Sequence, residues 1–152
     1  MTALLLVAAL WAAPARATGA SDPRGGAGSS VGDWLADQDS GEAAKRRLAI
    51  RTLRGVVRAE VRRSGRPGGD ELVRQEAALI LQDLDHRLAP RCAAGLTTPE
   101  LTVPCADILR RLETTDALPA LRAALATEAR GRARRRLQRA IGTLEGYRGE
   151  TP

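Results

Sequence analysis

A chain of 152 residues with no Phe, two Trp and one Tyr is one domain long and must build its core from Leu, Ile, Val and Ala. The formal net charge of +6 rests on arginine, since Lys45 is the only lysine; a GC-rich coding sequence would give the same bias, so the charge supports attraction to anionic surfaces and specifies no partner. One histidine and two cysteines are too few for a four-ligand zinc site built of Cys and His alone.

Residues 4–13, LLLVAALWAA, form an apolar run too short to span a bilayer, followed by the small-x-small pattern of Ala15, Arg16 and Ala17. This predicts a signal peptide over residues 1–17 and export to a periplasmic or extracellular space, although no Lys or Arg precedes the run. Residues 18–33 are Gly, Ser, Asp and Pro with almost nothing apolar, the composition of a disordered linker. A helical domain is then expected over residues 34–146, with Trp34 and Leu35 anchoring its start and residues 147–152 left as a tail. From residue 18 onward 27 of 135 residues are Leu, Ile or Val, so the core is small and its stability margin thin.

Asp39 and Glu42 have the spacing of a capping box and predict a helix over residues 40–63, with Ile50, Leu53, Val57 and Val61 as its apolar stripe. The turn SGRPGG, residues 64–69, separates it from a second helix capped by Asp70 and running to Leu88, with Val73, Ala77, Ile80, Leu84 and Leu88 on one face. Opposite charges four residues apart, Glu42 with Arg46, Asp70 with Arg74 and Asp83 with Arg87, read as solvated faces. Residues 89–100 carry Pro90, Gly95, Thr98 and Pro99 and predict a break that contains Cys92, with Thr98 and Pro99 leading into the next helix. Over residues 101–146 three short helices follow closely. Their stripes are Cys105, Ile108, Leu109 and Leu112; then Leu118, Leu121 and Leu125; then Ala133, Leu137, Ala140, Ile141 and Leu144. Asp116 stands where an N-cap belongs and Gly146 where a C-terminal glycine does.

The segments AALILQDLD (77–85), CADILRRLE (105–113) and LQRAIGTLE (137–145) share apolar residues at the first, fourth, fifth and eighth places and an acid at the ninth. Spacings of 28 and 32 residues are those of helical repeats. DALPALRAALATEARGRARRRLQRAIGTLEG, residues 116–146, resembles one short HEAT-type repeat, and the helix at 105–113 would be the second helix of the repeat before it. The resemblance covers residues 101–146 and implies an all-α fold of four or five helices, either a short, irregular HEAT-like α-solenoid or a helical bundle. It also implies a scaffold that binds another protein, with no catalytic residues and no cofactor.

The residues themselves offer no enzyme chemistry. His86 has only Asp83 at helical spacing, with Asp85 off that face, and reads as a surface histidine; no glycine-rich phosphate loop is present, and Gly25, Gly26 and Gly28 belong to the linker. The concentrated charge feature is Arg132, Arg135, Arg136 and Arg139, which fall opposite the Leu137 and Ile141 stripe and form an exposed basic face. This face is the candidate partner-binding surface, for a protein or, alternatively, for an anionic polymer such as a nucleic acid or an envelope polysaccharide. Nucleic acid is disfavoured by the leader and by the lack of aromatic stacking residues. An exported chain with an even number of cysteines predicts a disulfide between Cys92 and Cys105.

Overall fold

The computed structural model describes residues 30–149, and every regular element in them is helical. Six α-helices occur where four or five are expected: α1 (Val31–Gln38), α2 (Ala43–Ser64), α3 (Glu71–Gly95), α4 (Thr102–Arg111), α5 (Leu118–Thr127) and α6 (Gly131–Gly149), with a 3-10 turn, Thr115–Ala117, before α5. The predicted signal peptide and most of the predicted linker lie outside the described residues.

Helical structure begins inside the segment expected to be linker. Ser30 Oγ accepts from the Asp33 backbone N–H at 3.3 Å and the Asp33 carboxylate accepts from Ser30 N–H at 2.7 Å, a reciprocal capping box that starts α1. Leu35 is buried and Trp34 packs half-buried against the same core. Asp39 and Glu42 do not form the expected box: Asp39 ends α1 and accepts from Arg91 at 3.1 Å, while Glu42 precedes α2 without a side-chain cap.

Ile50, Leu53 and Val57 of α2 are buried as their spacing predicts. The joint to α3 is a turn in which Gly69 N–H donates to the Arg66 carbonyl at 3.3 Å, with Pro67 and then Gly68 at φ +73°, the left-handed position a type II turn reserves for glycine. Asp70 caps α3 through the Leu72 N–H at 2.9 Å.

The predicted break at residues 89–100 is overturned. Helix α3 continues through Pro90 to Gly95, so Cys92 is helical and fully buried. Pro90 forfeits a backbone bond to the residue 86 carbonyl, yet Leu84, Leu88, Cys92 and Gly95 keep one buried face across it, and their burial outweighs the local penalty. Irregular chain is confined to residues 96–101, where the Thr98 carbonyl accepts from the Leu101 and Thr102 N–H groups at 2.9 and 3.0 Å and starts α4 three residues after Pro99.

Helix α4 ends at Leu112 with Glu113 at φ +58°. The Thr114 N–H donates to the Leu109 carbonyl at 3.1 Å, the Schellman pattern with glutamate in the place glycine favours. Asp116 sits within the 3-10 turn and makes no cap for α5, and Gly146 does not end α6, which runs on to Gly149.

Hydrogen bonds and ion pairs fix the packing. Helix α2 packs against α1, α3 and α4, and α4 packs against α6. Arg46 near the start of α2 pairs with Glu100 just before α4 at 2.9 Å, and Arg130 just before α6 donates to the Pro99 carbonyl at 2.8 Å and to Thr102 Oγ1 at 3.4 Å. Neighbouring starts make α2, α4 and α6 a row of parallel helices. On one side of this row α3 runs antiparallel to α2, joined by Arg63 to Glu76 at 3.1 Å, and α5 runs antiparallel to α6, joined by Arg122 to Glu145 at 2.6 Å. The 32-residue spacing therefore relates two neighbours of one row, α4 and α6, whereas the 28-residue spacing relates α3 to α4, which lie in different layers.

Candidate functional site

The four arginines singled out from the sequence are all exposed on α6, opposite its buried stripe of Ala133, Leu137, Ala140, Ile141 and Leu144. None lies within ion-pairing distance of a carboxylate among the described residues. Their neighbours are used differently. Arg134 turns back to donate to the Leu125 and Glu128 carbonyls at 3.0 and 2.8 Å, satisfying groups that the end of α5 leaves open. Arg130 pairs with Glu128 at 2.5 Å, and this contact holds the Glu128 carboxyl down at about 2. The run from Arg130 to Arg139 thus divides into two fastening residues and one open face.

A second row of arginines escapes the sequence reading. Arg47, Arg51, Arg54, Arg58 and Arg62 follow one another on α2 at intervals of four, three, four and four residues, which places them on one face. Among the described residues none of the five meets a carboxylate, although Arg62 Nε donates to the Arg58 carbonyl at 3.3 Å. The spacing itself would have revealed the row. It was obscured by the expectation that charges on this helix pair at i, i+4: Arg46 reaches Glu100 instead of Glu42, and Glu42 is taken by Lys45 at 2.8 Å.

The two rows lie on the same side of the molecule. On α2, the Arg63 contact to Glu76 marks the flank facing α3, and the row occupies a different flank. On α6, Arg134 and Glu145 mark the flank facing α5, and Arg132, Arg136 and Arg139 lie away from it. Between the rows, α4 buries Cys105 towards α3 and Thr102 towards α6, leaving Val103, Asp107 and Arg110 only partly buried on its remaining face. Burial pushes the Asp107 carboxyl up, but Arg110 at 3.0 Å and Arg111 at 3.2 Å outweigh it and hold the group below the usual range. The exposed face of the α2, α4 and α6 row therefore has two unneutralised basic edges and a centre whose charges are largely paired.

Cys92 and Cys105 are brought together as free, buried thiols at the junction of α3 and α4. A Cβ added to Gly95 would lie 3.1 Å from Cys105 Sγ, a tight contact that a larger residue would make only by shifting this sulfur. Contact with Cys105, together with burial, pushes the Cys92 thiol well above its ordinary value. Gln38 is buried beside Cys92, and its Oε1 has no hydrogen-bond partner among the described residues.

His86 is exposed, and no group of three His, Cys, Asp or Glu side chains among the described residues could hold a metal ion. A cleft of about 650 Å³ is lined by Gln38, Asp39, Arg46, Arg91, Thr98 and others, but its two arginines are already occupied by Glu100 and Asp39. No described helix is long and apolar enough to cross a membrane. Comparison of the chain with protein families, curated proteins and solved structures gave no match.

Proposed function

We propose that this chain is an exported, non-catalytic helical scaffold of the short HEAT type that binds another protein, and that binding uses the exposed face of the α2, α4 and α6 row. The observation that carries the reading is the set of eight arginines on that face, five on α2 and Arg132, Arg136 and Arg139 on α6, with no carboxylate within ion-pairing distance among the described residues. Elsewhere on the surface several basic residues have acids one turn away, as in Lys45 with Glu42, Arg74 with Glu71 and Arg87 with Asp83. Concentrating like charge on one face costs stability through repulsion, a cost offset when a complementary partner covers it. Support for the repeat resemblance comes from the pairing of α3 with α4 and α5 with α6 and from the parallel neighbours α4 and α6. An anionic polymer is the second reading, favoured by the same arginines.

The two are separated by recovering the protein from its own host with and without Arg135→Glu and Arg136→Glu. A protein bound in constant proportion to the wild-type chain, and lost from the variant, supports the scaffold. Polymer alone on the wild-type chain, with a retention that falls steeply as salt rises, supports the second reading.

A further inference from the structure

The basic face has a pattern as well as a sign. The α2 row runs from Arg47 to Arg62, about 22 Å of helix at 1.5 Å per residue. The α6 row lies two helices away, about 16–20 Å from it at ordinary packing distances. The strip between them is less basic, for Arg110 and Arg111 share the single Asp107 carboxylate there and Val103 offers a partly exposed apolar side chain. A polymer with uniform charge, such as duplex DNA or a sulfated polysaccharide, would place anions over the Asp107 carboxylate as well as over the arginines. An α-helix about 10–12 Å across fits the strip, and acidic side chains on both its flanks would reach the two rows while an apolar ridge faced Val103. Arginine forks suit this arrangement, because each can take a carboxylate through two parallel hydrogen bonds.

Resting on the scaffold reading above, we propose that the face accepts an amphipathic, acidic α-helix of the partner, lying along α4 with its carboxylates divided between the α2 and α6 arginines. The site is composite. Five of its eight arginines are on α2, so α2 contributes at least as much to binding as α6.

The test uses the full chain and a defined probe, a peptide of about 20 residues with leucines on one helical face flanked by glutamates. A scrambled peptide of the same composition, a duplex DNA of similar length and a heparin fragment serve as competitors. Binding followed by fluorescence anisotropy, with circular dichroism of the peptide, should show affinity for the amphipathic peptide, a gain of helix on binding and at least tenfold weaker binding of the scrambled one. Arg47→Glu with Arg51→Glu and Arg58→Glu on α2, and separately Arg136→Glu with Arg139→Glu on α6, should each weaken the peptide about tenfold or more. The corresponding Gln variants should weaken it less, which guards against a misfolded charge reversal. Equal binding of the scrambled peptide, tighter binding of DNA or heparin to the same face, or no peptide binding at all overturns the proposal. Loss with the α6 variant and none with the α2 variant overturns the composite site alone and leaves the scaffold reading standing.

Discussion

Replacing Pro90 by alanine tests the most consequential difference between the sequence reading and the structure. If α3 runs unbroken from Glu71 to Gly95, Pro90 is an interior helical residue that withholds one backbone hydrogen bond and crowds the residue 86 carbonyl. Proline in that setting is about 3 kcal/mol worse than alanine. The helix has already adjusted around the ring, and some of the gain is lost by leaving it adapted to proline, so about 2 kcal/mol of stabilisation is expected. Pro90 is exposed, so the smaller side chain leaves no core cavity to subtract. Urea unfolding should show a higher midpoint at unchanged slope, and the melting temperature should rise by about 6–10 °C. If residues 89–100 were instead the irregular break that their composition suggests, the substitution would only loosen the unfolded chain and would destabilise by a few tenths of a kcal/mol to about 1 kcal/mol. A neutral or negative change would refute the continuous helix.

Glu113→Gly removes the cost of holding an exposed non-glycine residue at φ +58° and should stabilise by about 1 kcal/mol in the same unfolding assay; a loss of stability would show that the α4 terminus is built differently. Because Arg130 holds Glu128 at about 2, below its ordinary 4.5, the pair's contribution is present above pH 4.5 and lost as pH falls from there towards 2. Acid melting curves of the wild type should fall more across that window than those of Glu128→Gln, and parallel curves would contradict the pairing. We expect oxidising conditions to close Cys92 and Cys105 into a disulfide that stabilises by about 3 kcal/mol in the chain-entropy model. Thiol titration of the oxidised protein after denaturation should then find no free thiol, and two would rule the bond out. Leu109→Ala should cost about 3–5 kcal/mol, since this side chain is fully buried among the helices that α4 joins; a cost below 1 kcal/mol would mean that α4 is not central.

The helices of the second half are legible because each carries a full apolar stripe. Cys105, Ile108 and Leu109, Leu118 and Leu121, and Ala133, Leu137, Ala140, Ile141 and Leu144 are all buried where the spacing puts them. Errors arise where one strong local signal competes with a weaker periodic one. Pro90 reads as a stop, but Leu88 and Cys92 on either side continue a buried face through it. Gly146 reads as a cap, although an exposed helical glycine costs only about 1 kcal/mol and α6 passes over it. Asp39 and Glu42 have the spacing of a box beside the longer stripe, yet the box forms at Ser30 and Asp33, inside the segment whose composition reads as linker, and contact with Arg91 decides the fate of Asp39. Val73 reads as core from its spacing but is 39 % exposed, because it stands in the first turn of α3, before the buried part that begins at Ala77; Leu72 and Leu79 are more exposed because they lie on the opposite face. Of the candidate surface, the α6 arginines were legible as one helix face. Their alignment with the α2 row was not, since it depends on three helices lying parallel in one layer, and no spacing within a single helix records that.

The central claim is that the exposed face of α2, α4 and α6 is where a partner sits. Its most direct test is a photoreactive residue placed in turn at Arg54, at Arg139 and at Leu79, followed by irradiation in the native host. Cross-links from positions 54 and 139 to one and the same protein, with none from position 79 on α3, are the predicted result. Cross-linking to a protein from position 79 alone would contradict the account, because it would move the interface to the outer face of α3 around the exposed Leu79 and leave the arginines without a partner.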